Sequence, residues 1–233
     1  MGAERAHPDE LAFPLTAWGR VLTAGASDEA ARRRALEQLC RASLRAIQWH
    51  VRSRWAKTDT EAHELTQGVL WTLLEGGLAA PADEPRFRSW IKANLGSYLR
   101  SQRKAETPGA RAGDLAFVPA TSEPPTWAAE ASFDELFACC LIEDAAGDLE
   151  GRVQGDDLGA FRAAYIEQPG ASAAELATTL GIDEGALGRS LARAQAELST
   201  LVRGRLRSTL ASDRDLDGEL SLILERVLGE DLP

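Results

Sequence analysis

The sequence predicts an all-α protein, and three observations carry that expectation. Apolar residues recur at spacings of three and four along most of the chain, alternating apolar and polar runs are missing, and helix-capping patterns stand at Thr58, Ser132, Ser172 and Asp183. Valine and isoleucine, the usual strand formers, are few.

Ser27-Asp28-Glu29 opens a first helix to about Trp55, with Leu36, Leu39, Cys40, Leu44, Ile47 and Val51 at helical spacing. Thr58 and Glu61 form a capping box for TEAHELTQGVLWTLLE, where Leu65, Val69 and Leu73 make one stripe and Leu70 and Leu74 flank it. Gly76-Gly77 stops this helix, and a loop with Pro81 and Pro85 leads to FRSWIKANLGSYLRSQRK. There Phe87, Trp90, Ile91, Leu95, Tyr98 and Leu99 recur at three and four. Residues 105–131, with four Pro and no period, read as a linker. Ser132 and Glu135 then cap SFDELFACCLIEDA, the Gly- and Asp-rich 147–159 reads as a loop, and a further helix runs from about Asp157 to Glu167, before Pro169.

Ser172 and Glu175 cap SAAELATTL, Gly181 ends it in a left-handed turn, and Asp183 caps the next helix. Leu187, Leu191, Ala194, Leu198 and Leu201 form that helix's inward stripe. Two short helices joined by about three residues including Gly are the signature of a helix-turn-helix. The expected organisation is an N-terminal extension (1–26), a helical domain (27–105), a flexible linker (106–131), a second small helical domain (132–207) and an acidic tail helix (208–233).

The 233 residues are 44% hydrophobic and 27% charged, the balance of a globular protein with a real core. No apolar run approaches the roughly 20 residues of a membrane span. The opening MGAERAHPDE has no signal-peptide pattern, so the expected compartment is the cytoplasm. Cys40, Cys139 and Cys140 fit neither a disulfide framework nor a zinc site, and His7, His50 and His63 lack ligand spacing. No metal, cofactor or catalytic constellation is expected, which argues against an enzyme.

A net charge of −10 argues against a generic nucleic-acid binder, but the charges are segregated. Residues 32–55 hold seven Arg and one Glu, and residues 86–104 hold four Arg, two Lys and no acid. Residues 105–150 hold one Arg against ten acids, and the tail from 208 holds two Arg against seven. A basic N-terminal domain is thus followed by an acidic middle and an acidic tail.

Three blocks in this order resemble a family. TEAHELTQGVLWTLLE, FRSWIKANLGSYLRSQRK and AAELATTLGIDEGALGRSLARAQAELSTLVRGRL are similar to successive motifs of the extracytoplasmic-function sigma factors, the smallest sigma-70 relatives. The ending STLASDRDLDGELSLILERVL is similar to the tail of a branch common in planctomycetes and myxobacteria. The resemblance spans most of residues 35–228. His63 and Gly68 depart from it, standing where the family favours an acid and Glu.

The resemblance implies a sigma region 2-like bundle and a region 4-like helix-turn-helix. It implies a factor that directs core RNA polymerase to promoters and holds melted DNA. The helix matching 61–75 would dock on the clamp helices of the largest polymerase subunit, the helix matching 87–104 would meet single-stranded promoter DNA, and the helix-turn-helix would read duplex. An anti-sigma or other regulatory protein is a further possible partner.

The residues themselves give each block a physical role. Arg86, Arg88, Lys92, Arg100, Arg103 and Lys104 make a face that would release counterions from phosphates. Trp90 and Tyr98 are candidate base-stacking surfaces, and Asn94 a candidate base-edge contact. The competing reading makes Trp90, Ile91, Leu95 and Tyr98 core. Leu65, Gln67, Leu70, Trp71, Leu74 and Glu75 combine apolar and acceptor groups on a segment without a basic residue, the composition of a protein-docking face with an aromatic anchor; that its partner is polymerase is what the resemblance implies. Packing into the domain's own core competes with that reading.

In the last block, Glu184, Arg189 and Arg193 face outward and can reach base edges, while Gly188 and Ala192 have no reach. Phosphate anchoring falls to Arg203, Arg205 and Arg207, so positioning contacts are few. The alternative is an adaptor of sigma ancestry that binds polymerase or another protein without reading DNA. The tail 213–228 puts Leu216, Leu220, Ile223, Leu224 and Val227 on one stripe, for packing on the second domain or for a partner-binding or self-inhibiting helix.

Overall fold

A computed structural model describes residues 16–23, 28–56, 58–75, 86–104 and 126–228, leaving out the side chains of Lys104, Trp127 and 225–228. Most of the expected linker, the first 15 residues and the Lys104 and Val227 side chains therefore lie outside the described residues. What is described is all-helical, with no strand and one isolated bridge between Arg86 and Leu210.

The helices are α1 (Ala17–Thr23), α2 (Glu29–Arg54), α3 (Asp59–Leu74), α4 (Phe87–Lys104), α5 (Phe133–Leu149), α6 (Asp156–Arg162), α7 (Ala173–Leu180), α8 (Glu184–Ser208) and α9 (Leu216–Leu228). The starts of α3, α5, α7 and α8 follow the capping chemistry, whereas Asp28 at the start of α2 makes no side-chain cap hydrogen bond. The Thr58 side chain accepts from the Glu61 N–H, and Ser132–Glu135 and Ser172–Glu175 form reciprocal capping boxes. Residues 147–149, expected in a loop, extend α5 because Leu149 is fully buried. The segment Ala163–Glu167 continues α6 as a π-helical turn before Pro169.

α5 organises the core. Phe133, Leu136, Phe137, Ala138, Cys140, Leu141, Ala145 and Leu149 are buried over well more than half of its circumference. It packs against α2 and α4 on one side and α8 and α9 on the other. One hydrophobic cluster thus runs from Trp18 through Ile47, Leu70 and Ile91 to Leu136, Leu206 and Ile223, joining the two halves expected as separate domains. Within residues 126–131, expected as linker, Thr126–Ala129 form a 3-10 turn on α2, and Ala128 and Ala131 are buried. A smaller cluster of Ala160, Ala163, Leu176, Ala177 and Leu187 holds α6, α7 and the start of α8 together.

The expected N-terminal extension contributes α1 to the main core. Trp18 is fully buried, its ring centroid 5.4 Å from Phe87 and 5.3 Å from Trp90. Gly19 lets α1 lie on the 210–211 backbone, since a Cβ there would fall 2.9 Å from the Ala211 carbonyl oxygen.

Gly68 solves a similar problem between α3 and α4, because a Cβ on it would sit 1.9 Å from the Tyr98 hydroxyl. Gly68→Ala should cost about 1–3 kcal/mol by overpacking, although alanine favours a helix by roughly 1 kcal/mol. In a Tyr98→Ala background the same substitution should stabilise, and a urea double-mutant cycle reads that change of sign.

Candidate nucleic-acid interface

The basic face of α4 divides into two halves with different fates. In the first half, Arg88 is buried. Its guanidinium donates through Nε to Glu219 at 2.9 Å, lies 2.8 Å from the same carboxylate through Nη2, and donates through Nη1 to Asp134. Lys92 donates to the other Asp134 oxygen at 2.6 Å, and Arg86 lies 3.0 Å from Glu219. Two cations of α4, Arg88 and Lys92, and Arg86 just before it are therefore held by one acid from the first turn of α5 and one from α9. Burial pushes the Asp134 carboxyl up, but the Lys92 hydrogen bond and the Arg88 charge outweigh it and hold the group below the usual carboxylate range.

The aromatic and amide candidates on this helix are similarly engaged. Trp90 is only 4% exposed and packs on Trp18 and Phe87, so it belongs to the core in this form. The Asn94 amide donates to the Trp90 carbonyl at 2.8 Å. Tyr98 is half-buried against Gly68. The second half of α4 stays open, with Arg100 and Arg103 exposed and the Arg103 guanidinium stacked over Trp55 at 4.1 Å. Trp55, at the end of α2, was not marked by sequence reasoning.

The α7–turn–α8 unit forms as its caps require. Gly181 adopts φ +67°, and the Asp183 carboxylate accepts from the Ala186 N–H at 2.8 Å. Glu184 and Arg189 are exposed at the start of α8, and among the described residues no acid pairs with Arg189. Arg193, expected alongside it, is held by Asp157 of α6 through two hydrogen bonds of 2.7 and 2.5 Å. That contact draws the Asp157 carboxyl below its ordinary range. The anchoring arginines are also engaged: Arg203 with Asp217 at 2.8 Å, Arg205 with Asp148 at 2.5 Å and Arg207 with Asp213 at 2.6 Å.

On α3, Leu70 and Leu74 are core, and Leu65 packs partly against it. The accessible part of the expected docking face is half-buried Gln67 and Trp71 with exposed Glu75. Gln67 lies 2.7 Å from the His63 ring, and Glu75 is 3.8 Å from Arg33.

Sequence reasoning missed Asp134, Asp157 and Glu219. For Glu219 a signal existed: it lies three residues after Leu216 and four before Ile223, on the apolar stripe itself. An acid placed there is buried unless the helix is bare, so it needs a cationic partner.

Burial pushes the Cys40 and Cys140 thiols up to about 12, away from thiolate reactivity at neutral pH. Among the described residues no cluster of His, Cys, Asp or Glu is placed to hold a metal, and no helix is long and apolar enough to cross a membrane.

His50 of α2 meets Phe133 of α5 edge-on at 5.7 Å, and burial, with help from Arg54, lowers its pKa to about 4. The unfolded chain takes up this proton near pH 6.5, whereas the folded chain resists it until about 4. Stability should therefore fall as pH drops across that window. The loss is on the order of 2 kcal/mol after discounting for partial exposure. Urea midpoints against pH for wild type and His50→Phe check it, and the variant should lose most of the slope.

No protein-family model matches this sequence, and the curated proteins include no match to it.

Proposed function

We propose that this chain is a sigma-type transcription initiation factor that directs core RNA polymerase to promoter DNA. The observation that carries the reading is the α7–turn–α8 unit, capped at Ser172, Gly181 and Asp183, with Glu184 and Arg189 facing outward at the start of the longer helix. That is where a recognition helix contacts base edges. Exposed Arg100 and Arg103 on α4 supply phosphate contacts, and Trp71 with Glu75 on α3 supplies a protein-facing surface. The resemblance of the three sequence blocks agrees with this order of parts. Binding DNA weakly alone suits a factor that polymerase delivers.

The test is reconstitution with bacterial core polymerase on a promoter library, reading promoter-specific transcripts. Arg189→Ala should reduce them about tenfold, since a base contact of this kind is worth about 1–3 kcal/mol. A second reading, an adaptor that binds polymerase or another protein without reading DNA, is favoured by the two-point Arg193–Asp157 contact and by the pairing of Arg203, Arg205 and Arg207. Co-purification with polymerase but no promoter-specific transcript would decide for the adaptor.

A further inference from the structure

We infer that α9 and the segment before it form a built-in lock over the first half of α4, and that a single-stranded polyanion opens it by taking over Arg86, Arg88 and Lys92. The inference deepens the proposed function, because it concerns how the same basic face becomes available.

The lock has two parts. A backbone grip holds residues 209–211 from both sides. The Phe87 N–H donates to the Thr209 carbonyl at 2.9 Å, Arg86 bridges to Leu210, the Thr16 hydroxyl donates to the Leu210 carbonyl, and Gly19 admits Ala211. The grip delivers α9 to α4, and there Glu219 is 1% exposed, against Arg86 and Arg88. Asp134 closes the other side on Arg88 and Lys92.

Two carboxylates thus stand where phosphates would stand on a face with three cations. The arrangement suits a reversible contact better than a permanent one. Burying charges costs several kcal/mol per ion, and the pairing returns little beyond that cost, so hydrophobic residues would close the seam as well or better. A phosphate chain offers the same cations a new partner and gains counterion release on binding. The contact is therefore poised for exchange, with the protein's own acids as placeholders.

The first test uses wild-type protein. Hydrogen exchange at the Phe87 amide, bonded across the seam, is followed with and without a single-stranded 20-nucleotide DNA. The expected result is exchange at least tenfold faster at saturating DNA while amides in the middle of α2 keep their rates. Unchanged Phe87 protection in the bound state overturns the lock.

The second test measures DNA affinity against salt for two variants. Glu219→Gln combined with Asp134→Asn removes the placeholders, and Gly19→Ala breaks the grip while leaving every charge in place. Both should steepen the slope of log affinity against log salt by about two, from two to three newly available cations at roughly 0.7 each on single strands. Steepening in the charge variant alone would reduce the effect to net charge and overturn the lock. Neither test contains polymerase. A chain that opens on DNA yet gives no promoter-specific transcript therefore keeps the lock and loses the initiation reading. A chain that initiates while Phe87 stays protected does the reverse.

Discussion

Arg88→Ala is expected to destabilise the folded chain by about 3–5 kcal/mol, the range for removing one partner of a buried ionic group. Arg88 has only 8% of its side chain exposed, and its two acids, Glu219 and Asp134, have 2% and 17%. Removing the guanidinium leaves Glu219 buried with Arg86 alone and Asp134 with Lys92 alone. Arg88→Lys should recover only part of the loss, since one ammonium cannot address both carboxylates as a planar fork does. Arg88→Met with Glu219→Leu should recover most of it, because an apolar pair fills the seam without desolvation cost. The measurement is the urea midpoint at constant slope. A loss below about 1 kcal/mol with the Phe87 amide still protected would contradict a buried ionic seam.

Trp18→Ala should cost a similar amount, about 3–5 kcal/mol, by deleting a fully buried ring. Trp18 packs on both Phe87 and Trp90, and its helix carries Gly19, with Thr16 just before it, against residues 210–211. The substitution thus acts on the core and on the grip together. For a chain of this length the expected fall in melting temperature is roughly 10 °C, at about 2–4 °C per kcal/mol. Removing residues 1–26 should do at least as much harm. An unchanged midpoint in either variant would mean that α1 is not part of the folded core.

Trp18 also shows where sequence reasoning stops. Seven helical residues offer too short a window for a periodicity argument, and nothing in AWGRVLT names its partner seventy residues away. Trp90 was legible as apolar and helical, but whether its ring faced a base or the core depended on Trp18 and Phe87 arriving beside it. The LFACCLI run in α5 did carry a signal. Consecutive apolar residues on a helix mean burial on more than one side, and α5 is covered by both halves of the chain. Glu219 carried another, as a charge on an apolar stripe.

The sequence by itself determined the local structure: the all-helical class, the caps at Thr58, Ser132, Ser172 and Asp183, and the left-handed turn at Gly181. These depend on side-chain-to-backbone hydrogen bonds within a few residues, which are written in the local residue order. Only the tertiary structure decided which cations are available. Arg88 and Glu219 are 131 residues apart in the chain, and Arg193 and Asp157 are 36 apart. Whether such charges meet depends on how α5 and α9 pack, and that packing answers to the whole core at once.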